Sequence, residues 1–451
     1  MMSRTVALRW SLVLAVGALG AASASAQTDV EVNAAVQFNF TSPGARSLAL
    51  GGAFVGLADD ATAAFTNPAG LTTLSKPEVS LEGRGFQYSH LFTSGGRLGG
   101  TPSGTGLDTV SGLTDGESED SVNGLSFASI VYPRGDFAIA AYRHEVANFE
   151  ANIETQGAFF ESSRLLPVRA DMELDIVNYG VSAAYRFGEN ASLGAGVSFY
   201  DFGISSRTRR FQLSGSGTGA GGFFGPPLFT DANNINTQVQ SGDDTGVGFN
   251  FGASIKASEK VRIGGVFRKG PEFEFTVTNA VLINNTDFVF LRGPATFRVP
   301  DAFGAGISYR ATDALTLAID YQRVMYSQLT DGFVSVFPDL NVIPATPVAP
   351  VAKSGYVADD SNEIHVGIEY VFTGMTNPLA VRLGAWNDPD HRIRFTGPAD
   401  DPDRALFRAG DDEIHVSGGL GMVFGGNFQV DAAVDVSSRV TSGSLSAVLR
   451  F

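Results

Sequence analysis

The 451-residue chain has no cysteine, only two tryptophans and five histidines, and a charged fraction of just 17%. Without cysteine there is no disulfide framework, no thiol catalysis and no Cys-ligated zinc. Low charge beside 11% aromatics excludes a disordered chain or a coiled coil, which need the opposite balance. Long apolar runs are missing too: beyond residue 26 none approaches the ~20 residues of a spanning helix. A formal charge of −16 disfavours nucleic acid as a partner. The length would ordinarily imply two or three domains, yet no linker divides the chain.

What is present begins with the N-terminus. Arg4 and Arg9 precede a short apolar core, Ser11 to Gly20, and Ala24-Ser25-Ala26 forms a small-residue cleavage site before Gln27. Residues 1–26 therefore read as a signal peptide, and losing its two arginines takes the charge from −16 to −18. An exported, Cys-free chain without a spanning helix is either a secreted all-β protein or an outer-membrane barrel. Glycine (54 residues) and phenylalanine (35 residues) are abundant in it.

Period-two alternation supplies the strands. Phe428, Val430, Ala432, Val434 and Val436 share one face, opposite Gln429, Asp431, Ala433, Asp435 and Ser437. Residues 363–372 and 247–256 alternate in the same way, and the polar faces hold small and charged side chains, as in a wet lumen. Fourteen such segments are expected near 78–90, 125–133, 136–149, 170–187, 191–209, 244–258 and 260–279, then 294–310, 313–329, 362–373, 379–396, 411–424, 426–438 and 442–451. Long connections (91–124, 150–169, 210–243, 280–293, 330–361, 397–410) alternate with tight ones such as Arg134-Gly135 and Ala311-Thr312. That asymmetry fits extracellular loops and periplasmic turns, and a sandwich has no reason to show it. The short connection 439–441, where a long one is due, is the exception. The expected fold is an all-β, 14-stranded antiparallel transmembrane β-barrel over 78–451, ending on the aromatic Phe451.

Residues 27–77 fall outside the strand series and contain short helical stretches stopped by Asn67-Pro68. A barrel this wide needs a plug if it is not to leak, and this segment is the expected N-terminal helical hatch. Gly51-Gly52-Ala53-Phe54-Val55, Ala58-Asp59-Asp60-Ala61 and Asn67-Pro68-Ala69-Gly70-Leu71 resemble the start of the FadL/TodX family. The resemblance is sharp over about thirty residues and architectural elsewhere, Phe451 included. It implies an outer-membrane passive transporter of long-chain fatty acids or similar hydrophobic compounds. Ligand would be captured by extracellular loops, bound in the lumen and released laterally where the third strand kinks, past a hatch bearing Asn67, Pro68 and Ala69. It implies no enzyme activity, no cofactor and no metal. The expected partners are a hydrophobic small molecule and outer-membrane lipid, and the expected state is a monomer.

The residues themselves add candidates. Phe223, Phe224, Leu228 and Phe229 make an apolar run in loop 210–243, and Phe288 and Phe290 another in loop 280–293. Such runs mark a ligand-capture surface or loops that pack together over the barrel mouth. In the third strand, Arg143-His144-Glu145 breaks the alternation, so 142–149 either kinks or has risen above the membrane. By alternation Arg262, Arg268, Arg298, Arg310 and Arg382 face the lumen. Arg268 and Arg298 are the choice for a carboxylate, while lumen arginines commonly pair with acids such as Asp320 or Glu369. Glu363/His365 and Glu413/His415 lie on strands separated by a third, which argues against a metal site. Two other functions stay open on the same barrel: a secretion-apparatus or shuttle partner, and a diffusion porin, which segment 27–77 disfavours.

Overall fold

The computed structural model describes residues 27–451, apart from 37–41, 162, 216–222, 284–285, 338–343 and 345. The expected signal peptide, 1–26, lies outside the described residues.

Among the described residues, sixteen long strands make the wall. They are β1 (Glu78–Leu98), β2 (Gly112–Arg134), β3 (Phe137–Thr155), β4 (Val168–Phe187), β5 (Ala191–Phe211) and β6 (Asn234–Lys256). Next come β7 (Val261–Lys269), β8 (Glu272–Ile283), β9 (Thr286–Arg298), β10 (Ala302–Arg310) and β11 (Leu315–Val324). The rest are β12 (Ser361–Phe372), β13 (Leu379–Asp388), β14 (Glu413–Phe424), β15 (Phe428–Val436) and β16 (Val440–Arg450). Each strand pairs antiparallel with its neighbour, except that β7 passes directly to β10. Glu78↔Arg450 joins β1 to β16 and closes a 14-strand barrel, so the wall leaves no free edge along that seam.

Alternation places the side chains. Leu193, Phe249, Phe251, Leu383, Ile414 and Leu445 point outward and are about half exposed or more. Ser182, Asn250, Asp320, Glu369 and Arg382 point inward and are buried. This aromatic and aliphatic band is the lipid face that low charge and high Phe required.

Two expected strands are each cut in two. The segment expected over 260–279 breaks at Gly270-Pro271 into β7 and β8, and that over 294–310 breaks at 299–301 into β9 and β10. Proline lacks the N–H a ladder needs, so Pro271 and Pro300 mark both breaks. The parity slips there: Gly264 and Val266 are buried before the first break, Phe273, Phe275 and Val277 after it. A one-residue slip turns every later side chain to the other face. The expected loop 280–293 is largely ladder, because β8 and β9 continue as a hairpin to Ile283↔Thr286. The expected loop 91–124 is likewise shortened, since β1 and β2 pair up to Arg97↔Gly112.

Candidate functional site

Short helices α1 (Ala45–Ala49) and α2 (Ala63–Thr66) and a 3-10 turn, Pro68–Thr73, place residues 42–77 against the inward side chains. Asn67 caps that turn: its Oδ1 accepts from Ala69 N at 3.2 Å, with Pro68 in the first turn where no N–H is needed. The Asn67 amide also donates to Val55 O at 3.0 Å and to Ala253 O of β6 at 3.2 Å. Thus Asn67, Pro68 and Ala69 join the segment to itself and to the wall. Ser182 and Asn250 donate to Ala64 O, and Ser192 to Ala69 O. Glycine makes room. A Cβ at Gly252 would lie 2.2 Å from Asn67 Oδ1 and 2.8 Å from Pro68 Cδ.

Charge fixes the other side. Arg46 binds Glu369 through two N–H groups at 2.9 Å each and Asp59 at 2.5 Å. Glu369 is shared with Arg382, which also meets Asp431 at 2.7 Å. Asp320 accepts from Val55 N at 2.5 Å and Gly56 N at 3.3 Å. So two of the lumen acids named from sequence do bind, but chiefly the N-terminal segment. His365 faces Gly51 O at 2.6 Å. Trp386 of β13 stacks between His365 and His415, with ring centroids 5.1 and 4.0 Å away, so the two Glu/His pairs are kept apart.

Above this layer the interior is apolar. Phe149, Leu174, Phe202, Phe273 and Phe297 form one buried cluster with Val30 and Val32, which the first described residues contribute. Phe202 stacks on Phe273 and Phe297 at 4.7 and 5.6 Å. Residues 27–36 are clasped there. Asp29 accepts from Ser335 Oγ at 2.6 Å, Val336 N at 2.7 Å and Lys353 Nζ at 3.2 Å, while Glu31 pairs with Arg210. Burial pushes the Asp29 carboxyl up, against the pull of Ser335.

At the floor of the apolar cluster sits Arg268. Its Nη2 donates to Gln322 Oε1 at 2.9 Å and its guanidinium lies 5.1 Å from the Phe65 ring. Its Nη1 is buried with no hydrogen-bond partner among the described residues. A cavity of about 30 Å³, bounded by Phe65, Val146, Tyr200, Arg268 and Val299, adjoins it. Arg298 is not brought to Arg268. The break has turned it outward, and its nearest acid is Asp301 at 3.7 Å.

The aromatic loop residues fold onto one another. Phe223 and Phe224 pack on Phe159 with centroids 5.8 Å away, and Arg164 donates to Phe223 O. Phe229 packs on Phe211 at 5.2 Å under Arg169, and Leu228 N bonds to Gln212 O. These four side chains are half-buried, each keeping part of its apolar surface exposed. Phe288 and Phe290 lie on β9, the latter against the apolar cluster. Nearby, the hydrogen bonds of Arg97 hold the Asp108 carboxyl well below the usual range and anchor the β1–β2 loop.

Near its outer rim the wall loses a ladder, and Asp120 accepts from Asn152 N and Nδ2 across the gap at 3.0 and 2.7 Å. The β2·β3 ladder ends at Phe127↔His144, and β3 bulges against β4 between Glu145 and Ala147. The segment 142–149 is therefore a kink. It also marks where the lipid band stops, since on β4 the outward positions pass from Tyr179 and Val177 to the acids Asp175 and Glu173. Both sequence alternatives hold together. Val146, at the bulge, lines the Arg268 cavity.

Gln322, Asn250 and Arg46 went unassigned in the sequence. For Gln322 and Asn250 the only signal was polar character at inward parity, which many other inward positions share, and Arg46 lies outside the strands altogether.

Comparison with known proteins agrees with this geometry. Residues 148–436 match the family described as outer membrane protein transport protein (OMPP1/FadL/TodX). No curated protein sequence matches. Among solved structures, the CymD monoaromatic hydrocarbon channel is 17% identical with a TM-score of 0.59, covering 92% of this chain and 99% of that one. A Pseudomonas aeruginosa FadL homologue is 17% identical (TM-score 0.60, 92% and 100% covered). The Ralstonia pickettii toluene transporter TbuX is 18% identical (TM-score 0.56, 92% and 100% covered). At such identities the structures establish the fold, and the family match extends it to kind: this chain belongs to the OMPP1/FadL/TodX outer-membrane transport proteins, which carry hydrophobic compounds and are not enzymes.

Proposed function

We propose that the protein takes up hydrophobic carboxylates, long-chain fatty acids foremost, by passive passage through the lumen and lateral release. The observation that carries the carboxylate is the buried Nη1 of Arg268, unpartnered at an apolar cavity. A hydrocarbon leaves that donor unsatisfied; a carboxylate completes a charge-assisted pair. The acyl chain then lies along the Phe149–Phe202–Phe297 cluster, where each buried CH₂ contributes about 0.8 kcal/mol.

Capture begins on the half-exposed faces of Phe223, Phe224, Leu228 and Phe229, with Phe288 and Phe290 of β9 as the next contacts. Arg298 meets the head group at the outer surface rather than in the lumen. The 30 Å³ beside Arg268 holds one water, so an acyl chain needs residues 27–36 or the hatch to yield. Asn67, Pro68 and Ala69 hold the hatch to β6, and its displacement joins the cavity to the kink at 142–149. The hatch is residues 27–77, and the barrel is 78–451.

Equilibrium binding of radiolabelled oleate and of toluene to purified protein tests this reading. Arg268→Gln should weaken oleate by roughly tenfold, the worth of one charged hydrogen bond, and leave toluene unchanged. Equal loss for both ligands, or no loss for oleate, refutes the carboxylate assignment.

A further inference from the structure

The β3 kink is one of two defects bordering the Arg268 cavity. The other is the double break opposite. β6 pairs with β7 as far as Phe249↔Lys269 and resumes with β8 at Ser241↔Thr276. Between these points, 242–248 and 270–275 form no ladder with each other among the described residues. They touch through glycines instead: a Cβ at Gly242 would lie 2.8 Å from Phe275 Cβ, and one at Gly246 2.5 Å from Pro271 Cβ. One side-chain bond crosses, from Glu274 N to Asp244 Oδ2 at 2.8 Å.

This break forms part of the cavity wall. Lys269, Gly270, Val299 and Pro300 line the same space as Arg268. Consecutive residues thus set cations on opposite sides of the barrel, Arg268 inward and Lys269 outward. Lys269 sits at the outer rim of the lipid band, in register with the lipid-facing Phe249 and just beyond the Phe267/Phe303 ring pair.

A carboxylate already occupies the outer side. Asp301 Oδ1 accepts from Gly270 N at 3.1 Å, and its Oδ2 accepts from Lys269 Nζ at 3.1 Å and Gln328 Nε2 at 3.3 Å. Arg298 stands 3.7 Å away. Asp301 therefore adds a side-chain tie beside the Arg268↔Ala302 backbone pair, through groups that would serve any carboxylate. A free carboxylate competing for Gly270 N–H and Lys269 removes that tie, leaving the bond from Val299 N to Pro271 O at 3.0 Å between the ladder pairs Arg268↔Ala302 and Glu272↔Arg298.

We infer that the break at Gly270-Pro271 and 299–301 is a second lateral portal, in which a hydrophobic carboxylate passes from Arg268 to the Lys269 site by replacing Asp301. The inference rests on the reading of Arg268 as the head-group cation. It assigns Lys269, Gly270 N–H and Gln328 as an outer carboxylate site, and Arg298 as its flanking cation.

The absence of cysteine gives a clean test. In Gly242→Cys/Phe275→Cys, an oxidised bond staples 270–275 to β6 once the two backbones part by about 1 Å, from the 2.8 Å between Cβ positions to the about 3.8 Å of a disulfide, so the reduced variant is first checked for wild-type uptake. Gly246→Cys/Pro271→Cys is the second pair, used if the first does not assemble. Proteoliposome uptake of radiolabelled oleate is compared oxidised and reduced, beside equilibrium oleate binding. Loss of most uptake on oxidation, with binding kept and uptake restored by reductant, supports the portal. Equal uptake in the oxidised and reduced forms overturns it. Lys269→Gln should slow oleate several-fold and spare toluene; an equal effect on both removes the carboxylate hand-over. Failure of the parent reading shows separately, as unchanged oleate binding in Arg268→Gln.

Discussion

Asn67→Ala offers the sharpest check on how the N-terminal segment is held. Three contacts disappear together: the cap to Ala69 N, and the amide bonds to Val55 O and Ala253 O. The cap contributes about 1 kcal/mol. Each amide bond contributes about 1 kcal/mol, more where a buried carbonyl is left bare. The wall ladders are untouched, so the whole loss, about 3 kcal/mol, falls on docking of the segment rather than on the barrel. At about 1.4 kcal/mol per factor of ten, the undocked population rises roughly 100-fold. Single-channel recording in planar bilayers reads this as opening frequency. Asn67→Asp keeps the cap acceptor but sets a carboxylate against two carbonyls, so it should open the channel at least as often as the alanine variant. Opening frequencies equal to wild type in both variants would refute the reasoning.

Three further outcomes are expected. Gly252→Val drives a side chain into Asn67 and Pro68, costs about 1–3 kcal/mol of overpacking, and should produce the same openings with the barrel still heat-modifiable on gels. Glu369→Ala leaves the buried Arg382 with Asp431 alone and Arg46 with only Asp59 and Asp60, a loss of about 3–5 kcal/mol visible as a lower thermal transition in detergent. Because Arg97 depresses the Asp108 carboxyl, its contribution is fully present above the ordinary value of 3.8 and is lost only as pH falls well below it. Pepsin should therefore spare the β1–β2 loop at pH near the ordinary value and cut it at lower pH, whereas Asp108→Asn should be cut throughout.

Much of the wall was legible because its rule is local. A strand with lipid on one side and water or hatch on the other must alternate, and Phe428–Val436 shows this without help from any neighbour. The breaks were not legible. Gly270-Pro271 reads as a bend in one strand, and only the pairing of β6 with β7 and then β8 shows that the parity slips. Arg298 was misplaced for that reason, while Arg268, before the slip, was placed correctly. The acids Asp320 and Glu369 looked like partners for lumen arginines. Asp320 instead holds backbone N–H groups at 55 and 56, and Glu369 is shared between Arg382 and Arg46. No pattern within a single strand could announce partners roughly 265 to 320 residues away.

Composition and period, then, determined the class: low charge, no spanning run and alternating strands leave a lipid-facing barrel, because burial in lipid demands apolar side chains and fully paired backbone. Asn67-Pro68-Ala69 and its flanks determined that a capped segment precedes the wall. Tertiary structure decided which inward polar groups are spent and which are free. Arg382 is spent on Glu369 and Asp431, Glu369 and Asp320 on the segment through Arg46 and the backbone at 55 and 56, and Arg268 keeps a donor unpartnered among the described residues over an apolar cavity. Whether a charge is available depends on what three-dimensional closure brings within about 3 Å of it, and that distance is not written in the order of residues.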